Sequence, residues 1–150
     1  MKIEQEIHQK AFRDEYIKAQ VNLMFTASWM DMRLRGTIKK FRISWQQFNI
    51  LRILKGMHPE PVTVKWLTER MIDKMSNASR LVEKLKKKDL VYRIECPEDR
   101  RKVNIGITQA GLDLVGKATE VVEVRIRECF QTLTAEEARS MNELLDKLRG

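Results

Sequence analysis

Over residues 1–35 apolar side chains recur at Ile3, Ile7, Ala11, Tyr16, Val21, Phe25, Trp29 and Met32, a spacing that predicts one long helix. Phe12, Ile17, Leu23, Met24 and Leu34 widen the stripe beyond what a small domain's own core consumes. Gly36 and Thr37 are the expected stop, followed by a basic connector over residues 38–42. Ser44 and Gln47 have capping-box spacing, which opens a helix over residues 45–55 with Phe48, Leu51 and Leu54 inward and Gly56 at its end. Pro59, Glu60 and Pro61 then break the chain. Thr63 caps a short helix over residues 64–71, whose inward side chains are expected to be Leu67, Met71 and Ile72.

The next segment carries the strongest signal. Within residues 76–88, Ala78, Leu81, Val82 and Leu85 fall at i, i+3, i+4 and i+7, giving one apolar face. The other face holds Ser76, Ser79, Arg80, Glu83, Lys84 and Lys87. Short hydrogen-bonding groups mixed with cations suit a helix that enters a major groove between phosphate walls. Residues 90–95 and 102–107 follow as two strands, joined by residues 96–101. Helix, helix and β-wing in that order predict a winged helix-turn-helix that binds double-stranded DNA. Thr108 caps a helix over residues 109–130 with Val115, Ala118, Val122, Ile126 and Cys129 along one stripe. Thr134 and Glu137 form a second capping box before a last helix carrying Ala138, Met141, Leu144, Leu145 and Leu148 on one side.

The fold expected is therefore mainly α with a small β-wing. It is a single domain over residues 1–150, with the winged helix-turn-helix in residues 44–107. Helices in residues 1–36 and 109–150 leave apolar faces without a partner inside one winged domain, so they predict a homodimer.

Charge agrees with this division. The chain carries a formal +8, and residues 74–102 hold 10 Lys and Arg against 5 Asp and Glu. Residues 1–32 hold 4 against 5, and residues 112–150 hold 6 against 8. A positive middle between mildly acidic ends is the footprint of a polyanion-binding surface. The N-terminus lacks an apolar signal region and no run is long enough to span a membrane, which predicts a cytoplasmic protein without membrane contact. Cys96 and Cys129 are unclustered, His8 and His58 have no triad or metal-site partners, and no glycine-rich phosphate loop exists. No enzyme activity, metal or cofactor is expected.

The residues resemble the multiple antibiotic resistance regulator (MarR) family of bacterial transcription factors over nearly the whole chain. The stretch from Ser44 through Gln47 and Phe48 to Leu51 is similar to that family's second helix. Ala78, Ser79, Arg80, Leu81, Val82, Glu83, Lys84 and Leu85 are similar to its recognition helix, with Ser79 where Thr is more usual. Asp99 and Arg101 resemble the Asp-x-Arg wing signature, and Ile107, Thr108 and Gly111 the Leu-Thr-x-x-Gly that follows. Asp89 stands where the family has Gly in a left-handed conformation, which Asp tolerates, and Thr68 replaces a small Ala. The resemblance implies a ligand-responsive repressor that binds a palindromic operator as a homodimer. It also implies a crevice for a small aromatic or lipophilic effector between dimer base and winged domain, for which Phe25, Trp29, Trp45 and Trp66 are the candidates. The alternative is an architectural or non-specific nucleic-acid binder without effector response.

Arg80 is the first candidate for base readout, since a guanidinium can bind guanine O6 and N7 together. Ser76, Asn77 and Ser79 lie at the helix end that approaches base edges, where Ser76 and Asn77 also suit capping. Lys84 and Lys87 are phosphate contacts. Glu83 is expected to pair with Lys87 at i,i+4. In the wing, Asp99 and Arg101 share one side of an extended segment, so Asp99 can hold Arg101 in position. Arg100 and Arg101 are the candidates for the minor groove.

Overall fold

The computed structural model describes residues 1–96 and 99–150, with side chains described outside residues 96–102. Its order is α1 (Ile3–Glu6), α2 (Glu15–Ile38), a 3-10 turn, α3 (Trp45–Met57), β1 (Val62–Thr63), α4 (Val64–Arg70), α5 (Ala78–Lys86), β2 (Val91–Cys96), β3 (Asp99–Ile107), α6 (Gln109–Phe130) and α7 (Ala135–Arg149). The three strands form an antiparallel sheet in the order β1-β3-β2. The mainly helical fold with a small β-wing is as expected.

One core joins these elements. Phe48, Ile50, Leu51 and Leu54 of α3 meet Leu67 of α4, Val82 and Leu85 of α5, Ile105 of β3 and Val115 and Val122 of α6, all nearly inaccessible to solvent. Leu34 and Ile38 bring the end of α2 into the same cluster. In contrast, no residue of α7 is buried in the single chain.

Local caps set most boundaries. Ser44 Oγ accepts from Gln47 N at 3.2 Å while Gln47 Oε1 accepts from Ser44 N at 2.9 Å, closing the capping box of α3. Thr134 and Glu137 do the same for α7. The Glu137 carboxyl is held below its usual pKa by the Thr134 backbone amide that it accepts.

Several expectations are corrected. The first helix is not continuous, because Asp14 leaves the helical region to accept Ile17 N at 2.9 Å and starts α2 there. The short α1 folds back instead, with Lys18 Nζ 2.7 Å from Glu4 Oε1, and that hydrogen bond from Lys18 is the first cause of the Glu4 carboxyl's lowered pKa. Gly36 does not stop α2, which runs on to Ile38 because Ile38 is 1% exposed in the core. Gly56 does not stop α3 either. That helix ends where His58 is driven to extended backbone by the following Pro59. Ile72 is 77% exposed rather than inward, since Met71 has already left the helix (ψ 142). The two-residue β1, too short for a periodic signal, pairs Val62 with Ile105 and Thr63 with Asn104.

The junction between α5, wing and α6 is tightly made. Asp89 takes the left-handed conformation (φ 55) between helix and strand. Thr108 Oγ1 accepts from Gly111 N at 3.0 Å and donates to Asp89 O at 2.7 Å, which ties the start of α6 to that turn. A Cβ on Gly111 would stand 2.2 Å from Leu90 O, so only glycine allows this approach. Gly111→Ala is expected to lower stability by about 1–3 kcal/mol through overpacking. Urea denaturation checks this, and an unchanged midpoint would mean that the Leu90 carbonyl yields freely.

Candidate nucleic-acid interface

The site is built around the N-terminal end of α5. Asn77 is the N-cap, and its Oδ1 accepts from Arg80 N at 3.0 Å. Before it, Asp73 organises the turn from α4: Oδ2 accepts from Ser76 Oγ at 2.7 Å and Oδ1 from Met75 N at 3.1 Å. The Ser76 hydroxyl is the main cause that holds the Asp73 carboxyl below its usual pKa, with the Met75 amide and Gln46 adding to it. Ile72 N donates to Asn49 Oδ1 at 3.2 Å, anchoring the same turn to α3. α5 therefore starts from a turn whose polar groups are already engaged.

Ser76, Asn77, Arg80 and Lys84 line one open depression of about 270 Å³, together with Leu81 and Gln46. Ala78, Val82 and Leu85 on the opposite face of α5 are buried. Ser79 and Lys87 are exposed on the same helix, with Lys87 at its C-cap outside the depression. Among the described residues, Arg80, Lys84 and Lys87 have no acidic partner within ion-pair distance. Lys84 and Lys86 stand in the last turn, where the helix dipole favours cations.

Gln46 escapes sequence reasoning. It lies thirty residues before Ser76 and reaches the depression only because α3 packs against α5. Glu83 is a second departure: its carboxylate pairs with Arg93 of β2 rather than with Lys87. Arg93 is held by a strand, whereas Lys87 sits at the fraying end of the helix.

The wing candidates Asp99, Arg100 and Arg101 belong to the backbone of β3, and their side chains lie outside the described residues, as does that of Cys96. β2 and β3 pair from Val91 with Ile107 to Glu95 with Val103, with a register shift between Glu95 and Cys96.

The four aromatic candidates are not brought into one crevice. Trp45 packs on Phe48 with ring centroids 5.3 Å apart and lines a cleft of about 130 Å³ with Asp31, Arg35, Asn49, Met71 and Asp73. Phe25 and Trp29 line a separate cleft of about 550 Å³ with Ile3 and Leu133. Trp66 is covered by the Arg70 guanidinium, 3.4 Å from its ring centroid. Helical phase along the sequence could not distinguish these three surroundings.

The profile of the MarR family matches residues 43–103, which take in α3 through most of β3. The Bacillus subtilis HTH-type transcriptional regulator YdcH is 31% identical over 107 residues, covering 70% of this chain and 71% of its own. The chain belongs to the MarR family. MarR proteins are transcriptional regulators, and the fold agrees with solved members. A mutant of Escherichia coli MarR complexed with operator DNA superposes with a TM-score of 0.79 at 21% identity, covering 93% of this chain and 99% of that one. Bordetella bronchiseptica BpsR, whose DNA binding is regulated by 6-hydroxynicotinic acid, gives 0.77 at 22% identity over 89% and 99%. Among the described residues of this MarR protein no helix is long and apolar enough to cross a membrane.

Proposed function

We propose that this MarR protein is a homodimeric, sequence-specific DNA-binding repressor that responds to a small aromatic or lipophilic effector. The observation that carries the reading is the depression on α5, where Ser76, Asn77, Arg80 and Lys84 converge beside two hydrogen-bonding turns. A guanidinium and short polar groups at a helix N-terminus suit base edges, while cations toward the C-terminus suit phosphates. Arg100 and Arg101, on the strand that continues the wing, are assigned to the minor groove with Asp99 as the positioning residue. The helices of residues 1–36 and 109–150 form the dimer base, because no residue of α7 is fully buried within its own chain. For the effector, the cleft at Trp45 is favoured, since Asn49 and Asp73 in its wall also hold the turn that starts α5. The operator-bound E. coli relative and the 6-hydroxynicotinic acid-regulated B. bronchiseptica relative support both halves of the proposal.

Selection of bound duplexes from a random-sequence pool is the primary test, and a palindrome preferred by ~10³-fold or more over random DNA is the expected result. Uniform binding of all sequences would replace this function with an architectural one. On the selected duplex, Arg80→Ala should cost ~1–3 kcal/mol and relax base preference, whereas Lys87→Ala should weaken all sequences alike. If Arg80→Ala left affinity and preference untouched, the reading face of α5 would be misplaced.

A further inference from the structure

An acid in the middle of a DNA-facing helix needs explanation. Glu83 shares α5 with Arg80 and Lys84, and its carboxylate turns back to the guanidinium of Arg93 on β2. Strand alternation puts Arg93 on the same side as Val91, which is 2% exposed, so the arginine lies over α5. Both side chains are partly exposed, and Glu83 Oε1 and Arg93 Nε are shielded from solvent without an aligned hydrogen bond, so the contact is an ion pair only. Losing one partner would leave the other charge uncompensated in this shielded position. Among the described residues it is the one ion pair that joins α5 to the sheet.

Its place in the connection gives it a geometric role. Leu90 N donates to Leu85 O at 3.1 Å and Asp89 turns left-handed, which fixes where β2 leaves the helix. That bond and the Thr108 bond to Asp89 O both lie at the root, so they set the origin of the strand but not its tilt. The contact between Glu83, one turn back along α5, and Arg93, two residues into β2, supplies the second point. We infer that the Glu83–Arg93 pair is a positioning contact that sets the angle of the β2–β3 wing against the recognition helix. Glu83 thereby strengthens DNA binding although its charge opposes it. This inference rests on the DNA-binding function proposed above.

The test uses the full-length protein, the duplex selected from the random pool and fixed salt. Charge alone predicts opposite signs: Glu83→Gln should tighten binding and Arg93→Gln should weaken it. Positioning predicts that each weakens binding by roughly ten-fold and that the double variant is no worse than either single, as coupled residues behave. In a background carrying Arg100→Ala and Arg101→Ala, where the wing has lost the two arginines assigned to the minor groove, Glu83→Gln should no longer weaken binding. Circular dichroism melts identify any variant that fails to fold, and Glu83→Asp, which keeps the charge but shortens the reach to Arg93, then decides by itself: positioning predicts weaker binding and charge alone predicts no change. Tighter binding by Glu83→Gln in the parent, or equal weakening in both backgrounds, overturns the positioning role. Failure of the function itself would appear earlier, as a parent protein that selects no sequence, and would overturn the inference with it.

Discussion

Replacing Leu144 and Leu148 with aspartate is expected to turn a dimer into a monomer and to reduce operator affinity by several orders of magnitude. Both leucines lie on α7, 67% and 71% exposed in the single chain, and they stand one turn apart. The helix itself is secure, since its capping box is complete, so the apolar face is not a sign of an unstable segment. Burying a leucine contributes about 1.5–3 kcal/mol, and a two-fold interface repeats each contact. Two buried carboxylates per protomer would remove that gain and add the cost of unpaired charge. Light scattering should fall from roughly twice the 17.7 kDa chain mass to the chain mass itself. The winged core should keep its fold, because its buried residues come from other elements. Retention of the dimer, or a monomer that binds the full operator as tightly as the parent, would rule out α7 as part of the dimer base.

Salt is expected to act as strongly. The formal charge is +8 per chain, and residues 74–102, which hold α5 and the wing, carry 10 cationic against 5 acidic side chains. Two such regions in a dimer would neutralise on the order of 8–10 phosphates, so affinity should fall by ~10³–10⁵ between about 50 and 200 mM salt. Fluorescence anisotropy with a labelled duplex measures this directly. A logarithmic slope shallower than about −3 would mean that few of these cations reach phosphate, and the wing would be the first contact to abandon.

What could be seen in the sequence follows the range of the forces involved. Caps act over three residues, and the starts of α3, α4, α6 and α7 at Ser44, Thr63, Thr108 and Thr134 were all visible as cap residues. The inward faces of α3 and α5 were equally plain, because one phase of the helix carries Phe48, Leu51 and Leu54 and another Ala78, Val82 and Leu85. Contacts between distant segments were not visible. Gly36 looks like a stop until Ile38 is seen in the core, and Glu83 looks like a partner for Lys87 until β2 brings Arg93 over the helix. Gln46 joins the depression on α5 by packing alone. The break before α2 was a different kind of miss: a local cap at Asp14 overrode an apolar period that ran straight through it.

Thr63 shows how closely the reading elements are bound together. Its backbone belongs to the ladder with Asn104 of β3, while its hydroxyl accepts from Trp66 N at 3.1 Å to begin α4. The helix pair and the wing thus share one residue as a common hinge pin, locked at both ends. The ladder and the cap fix the root of the wing to the helix pair, while the tilt of its outer strand is left to the Glu83–Arg93 contact. Within one half-site of the proposed complex, then, the offset between groove contacts would be set like the gap of a calliper, and any adjustment to operator spacing would come from the helices proposed to form the dimer base.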